Sequence, residues 1–71
     1  MSQNQLTSAH NVFSKVIELD PKWPEAWNKR ATVLYLMGSY KLSQNDIDKV
    51  LSIEKRHFGA LSGQGLVQTK L

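Results

Sequence analysis

Apolar positions along this chain recur with a helical period. Ala9, Val12, Phe13, Val16 and Ile17 fall at i, i+3, i+4, i+7 and i+8, one stripe along a helix. Asp20-Pro21 closes that segment, because the residue before a proline is pushed out of the helical region. A second stripe carries Ala26, Trp27, Ala31, Leu34, Leu36 and Met37. Pro24 suits its first position, Glu25 complements the helix dipole there, and Gly38 is a natural C-terminal stop. Ser39 stands where it can cap a third helix holding Tyr40, Ile47, Val50, Leu51 and Ile53. A fourth segment starts near Phe58 and runs through Leu61, Leu66 and Val67. The predicted helices therefore cover about residues 7–20, 24–37, 40–54 and 58–69.

The fourth helix is expected to fray, since Gly59, Gly63 and Gly65 each cost about 0.8–1 kcal/mol relative to alanine in a helix interior. The segments are joined by short connections, which makes neighbouring helices antiparallel and packed. Apolar positions do not alternate and no Asn-Gly or Asp-Gly turn occurs, so no strand competes. The expected fold is all-α.

Shifting the chain by thirty-four residues overlays it on itself in character. Phe13 falls on Ile47, Ile17 on Leu51, Leu19 on Ile53, Asp20 on Glu54, Trp27 on Leu61 and Ala31 on Gly65. The identities are Asn11/Asn45, Lys15/Lys49, Val16/Val50, Ala26/Ala60 and Val33/Val67. Large apolar, small and acidic classes return together.

In these residues the chain resembles the tetratricopeptide repeat, which places Trp, Leu-Gly, Tyr, Ala, Phe and Pro at fixed offsets. Trp27 and Ala31 fill the large and small places of the first helix, Leu34 replaces the tyrosine, and Ser43 and Ile47 take the small and large places of the second. Ala9, Phe13 and Pro21 match the preceding half-repeat, and Leu61 and Gly65 begin a further copy. Lys55 departs from the usual proline, and Arg30 occupies an inward-leaning apolar place. The resemblance covers about Leu6 to Leu71 and implies antiparallel helical hairpins stacked as a short α-solenoid. It also implies one helical domain over 1–71 that is a fragment of a longer repeat array.

Independently of any family, two antiparallel helices approach closely only where a small side chain faces a large one. Ala31 and Ser43 are the expected contact points, with Trp27 and Tyr40 filling the hairpin ends. For Arg30 two readings stand open. One is an ion pair with Asp46 or Asp48 on the facing helix, and the other is a stem that snorkels to water. At the ends of the array, Val12, Phe13 and Val16, with Leu61 and Leu66, are expected to be incompletely covered.

Composition narrows the function. Seventy-one residues make one small domain with a marginal core, and there are no cysteines to staple it. Thiolate chemistry and thiolate metal sites are thereby excluded. No apolar run is long enough to span a membrane and no secretory signal is present, which fits an intracellular setting of undetermined compartment. The net charge of +3 is dispersed, so nucleic acid is a disfavoured partner. His10 and His57 lack a third ligand spaced near either, so no metal site is expected. The glycines from Gly59 to Gly65 lack the ending of a phosphate loop and read as small residues for close helix packing. No cofactor, no catalytic residue and no enzyme activity are expected.

What the resemblance implies is a concave groove formed by the first helix of each repeat, holding a peptide or partner helix. Glu25, Asn28, Lys29, Thr32 and Tyr35 would face it, followed by Ser62, Leu66 and Thr69. Asn28 and Lys29 would act as a donor pair for a peptide backbone or carboxylate. The leading reading is a non-catalytic protein-interaction scaffold. The alternatives are a structural segment that self-associates or belongs to a larger repeat protein, and a helical-repeat binder of nucleic acid.

Overall fold

The computed structural model describes residues 3–71. Helix α1 spans Gln3–Leu19, α2 Pro24–Leu36, α3 Tyr40–Ile53 and α4 Phe58–Gln68. The first helix starts about one turn before the periodicity places it. Its apolar stripe extends back to Leu6, which is buried, so the packing face recruits another turn.

The turn between α2 and α3 shows how local chemistry sets the hairpin. Gly38 adopts φ +82°, a left-handed conformation that costs glycine nothing. Its N–H donates to Tyr35 O at 3.0 Å, and the Ser39 N–H donates to Leu34 O at 2.9 Å. This is the glycine-terminated closure that satisfies the last carbonyls of a helix. Ser39 holds the N-cap position of α3, as its sequence place indicates, and its carbonyl accepts the Ser43 N–H. Its backbone sits at ψ 66° and its side chain makes no cap bond.

The helices form a staircase. α1 packs on α2, α2 on α3 and α3 on α4; α2 also reaches α4, whereas α1 does not. The result is a slab of 32 × 31 × 16 Å, all-α and built of antiparallel hairpins. Its core gathers Ala31, Ile47, Val50, Ala60 and Val67, with Trp27, Tyr35, Tyr40 and Leu51 packed around it. Ala31 and Ser43 meet as small residues should: the Ser43 hydroxyl donates to the Ala31 carbonyl at 2.7 Å, and both residues are buried. That bond leaves a polar side chain satisfied where the two backbones approach.

The thirty-four-residue recurrence is a recurrence of position. Ala26 and Ala60 are both buried, as are Val33 and Val67, while Asn11 and Asn45, and Lys15 and Lys49, are exposed in both copies. Burial diverges at the large positions of α1 and α3. Val50 and Ile47 are sealed between α2 and α4, whereas their equivalents Val16 and Phe13 on α1 are half-buried.

The α4 glycines have three different settings. A Cβ on Gly63 would lie 3.4 Å from Ile47 Cδ1, so this glycine marks a close approach of α4 to α3. At Gly59 it would lie 3.2 Å from the Asn28 side-chain nitrogen and 3.1 Å from the His57 ring. At Gly65 nothing lies within 4 Å, so close packing within this chain does not explain that glycine. Gly65→Ala is therefore expected to stabilise the fold by about 0.5–1 kcal/mol through helix propensity and the unfolded-state entropy of glycine. Urea denaturation of the two chains checks it, and a destabilised variant would contradict the open setting.

Candidate functional site

Helices α2 and α4 flank a small open cleft of about 60 Å³ with α3 beneath them. Asn28, Thr32 and Tyr35 enter it from α2, and Gly63, Leu66 and Val67 from α4. Ala31, Ser43 and Ile47 complete the lining, so the hydrophobic core and the cleft share residues. Tyr35 is held by an edge-on contact with Tyr40, ring centres 5.4 Å apart, and Thr32 hydrogen-bonds back to Asn28 O at 3.2 Å. No lysine, arginine or carboxylate lines the cleft.

The structure thus brings Asn28, Thr32, Tyr35 and Leu66 together, and leaves Glu25, Lys29 and Ser62 out of that lining. Asn28 and Lys29 line different clefts. Successive residues on a helix point about 100° apart, and Lys29 lies instead in a second cleft with Phe13, Val16, Trp23, Glu25 and Ala26. Glu25 is drawn toward α4, where its carboxylate accepts from His57 Nε2.

His57, which has no companion ligands for a metal among the described residues, has a structural place instead. It is the N-cap of α4: its Nδ1 accepts the Ala60 N–H at 3.0 Å, which fixes the neutral tautomer with the proton on Nε2 facing Glu25. One buried imidazole thereby satisfies an orphan helix donor and ties the start of α4 to α2. The signal available in sequence was a polar residue three positions before Ala60, at the place an N-cap occupies. His57→Ala is expected to cost about 1 kcal/mol, and His57→Asn to retain much of the stability because asparagine is a good N-cap. Urea melts of both variants decide this, and equal losses would argue against the cap.

Arg30 is resolved in favour of an ion pair. Its Nε and Nη2 donate to Asp46 Oδ2 and Oδ1 at 2.7 and 2.8 Å, a two-pronged contact, while Asp48 accepts from Gln44 instead. Nη1 reaches Ser14 Oγ at 3.2 Å, so one guanidinium links α1, α2 and α3. It also lies 5.1 Å from the centre of the Trp27 ring, with Lys49 at 5.7 Å. Trp27 is itself pinned by its indole N–H donating to Pro21 O at 2.8 Å. The hydrogen bonds to Asp46 hold the guanidinium above its ordinary basicity, burial pulls the other way, and the carboxylate charge adds to the rise. A raised value means the arginine's contribution is complete below its unfolded pKa and is lost only in strong alkali, so this cation stays paired around neutral pH.

Among the described residues no three His, Asp or Glu side chains gather as a metal site, and no helix is long and apolar enough to cross a membrane.

Comparison with known proteins agrees with the helix order and spacing. No family model matches, and no solved structure matches. A TPR repeat-containing protein of Rhizobium etli is 47% identical over 60 residues, which cover 84% of this chain and 29% of that protein. The chain thus spans under a third of the length of this curated relative. Its four antiparallel helices, and a residue pattern that returns at the period of one helix–turn–helix unit, agree with that likeness. Over most of its length the chain is similar to a tetratricopeptide-repeat protein, and its own pattern amounts to about two repeat equivalents.

Proposed function

We propose that this chain is a non-catalytic protein-interaction module whose α2/α4 cleft holds an extended peptide or the edge of a partner helix. The supporting observation is the cleft itself: buried Ala31, Ile47 and Val67 line it together with Asn28, Thr32 and Tyr35. Such a site takes an apolar side chain in the floor while one or two polar groups fix the peptide backbone. The likeness to a TPR repeat-containing protein supports a protein partner in general. Glu25, Lys29 and Ser62 would act, if at all, at the margins rather than in the cleft.

The test is a screen of the labelled chain against a peptide library by amide chemical-shift perturbation. Binding should move Asn28, Thr32, Tyr35 and Leu66 together, and Leu66→Lys should weaken it by about tenfold or more, as expected when a charge replaces an apolar contact in an interface. Perturbations confined to the other face, or an indifferent Leu66→Lys, would sink the reading.

A further inference from the structure

The two ends of the array are unequal halves of one interface. On α1, Ala9, Phe13 and Val16 stand at the positions that Ser43, Ile47 and Val50 hold on α3. The α3 residues are buried under α2, yet every α1 equivalent is only half-buried, and beside Phe13 and Val16 lies an open apolar cleft. That face lacks a helix of the α2 type. The opposite deficit occurs on α4. Phe58, Leu61 and Gly65 lie on one stripe, with Leu61 and Gly65 at the positions where Trp27 and Ala31 of α2 meet α3, and the stripe is open: Phe58 is 79% exposed, Leu61 43% exposed, and Gly65 faces empty space. That face lacks a helix of the α3 type.

We propose that α4 of one chain docks on α1 of a second copy, completing a helical hairpin between molecules. Two observations choose this occupant. The first is bulk: where the internal hairpin sets Ala31 beside Ile47, the intermolecular one sets Gly65 beside Phe13, so the larger ring meets the smaller residue. This gives Gly65 a reason that the single chain does not supply. The second is charge. From Phe58 to Thr69 the chain has no charged residue, although most of α4 is solvent-facing, and Ala9, Phe13 and Val16 are uncharged as well. The pairing sets apolar stripe on apolar stripe, with Glu25 and Lys29 at the margin of the α1 face. The Arg30–Asp46 pair is not reproduced, because Gln64 and Val12 stand in those places, so the junction lacks the clamp of the internal hairpin. Because the two faces differ, the contact is head-to-tail and each added copy leaves both end faces open again.

Sedimentation equilibrium of the 71-residue chain over a wide concentration range tests this. The average mass should rise above the 8.1 kDa of one chain as concentration increases. Leu61→Glu spoils only the α4 face and Phe13→Glu only the α1 face, so each alone should stay at the mass of one chain. An equimolar mixture of the two should form a species of two chains through the one intact junction. Wild-type chain that stays monomeric throughout, or a mixture that fails to pair while the wild type associates, would overturn the proposal. Circular dichroism confirms that the variants fold, and Ala9→Glu replaces Phe13→Glu if the latter loses helicity.

Discussion

Replacing Ile47 by alanine is expected to lower the unfolding free energy by about 2–5 kcal/mol, the range seen when a buried aliphatic side chain is truncated and its cavity only partly collapses. Ile47 is 1% exposed and belongs to the cluster joining α2, α3 and α4. Its Cδ1 lies against Gly63, so the contact that draws α4 in vanishes with the side chain. A domain this small has little stability to lose, and partial unfolding at room temperature is the expected appearance. Ile47→Val removes one methylene and should cost about 0.5–1.5 kcal/mol. Chemical denaturation measures both, with near-neutral behaviour of Ile47→Ala as the contrary result. Ile47 also lines the α2/α4 cleft, so the valine variant changes the shape of that cleft while remaining folded.

Arg30→Met is the second large effect, with an expected loss of about 3 kcal/mol. Asp46 has a side chain 6% exposed, and removing the guanidinium leaves a buried carboxylate with neither of the bonds it accepts from Arg30. Breaking such a pair from one side is costly even when replacing both members is not. The reverse truncation, Asp46→Leu, should cost less, because the Arg30 side chain is 20% exposed and can turn its head to water. The double variant should be more stable than Arg30→Met alone. Urea melts of the four chains give the coupling directly, and simple additivity would mean that the pair contributes no interaction. The arginine also holds Ser14, so the loss should loosen α1 against α2 as well as the α2/α3 hairpin.

Helix positions were legible in the sequence wherever a stripe of apolar residues met a stop of definite chemistry. Pro24 and Gly38 mark the bounds of α2 in this way, because a fixed φ and a left-handed turn have few alternatives. The start of α1 was not, since Leu6 stands alone among polar neighbours and only its burial shows that it belongs to the stripe. Ser39 stands at the N-cap position of α3 as its sequence place indicates, and its carbonyl accepts the Ser43 N–H, but its ψ of 66° goes with a side chain that makes no cap bond. Arg30 was recognised as anomalous but its partner was open, as Asp46 and Asp48 differ only in which way a helix turns them. Of the groove residues, Asn28, Thr32, Tyr35 and Leu66 share the cleft because they lie on facing sides of α2 and α4. Glu25 and Lys29 do not, because the first is claimed by His57 and the second faces α1. The His57–Glu25 contact joins residues thirty-two positions apart, and no local pattern announces it.

The account rests on an open staircase of helices rather than a closed four-helix bundle, and methyl nuclear Overhauser effects distinguish the two most directly. The staircase predicts cross-peaks from Ile47 and Val50 to both Ala31 on α2 and Val67 on α4, and none from Leu6 or Ile17 to Ala60 or Val67. Cross-peaks joining Leu6 or Ile17 to Ala60 or Val67 would bring α1 onto α4, seal the bundle, and contradict the stacked-repeat architecture together with its groove and its open ends.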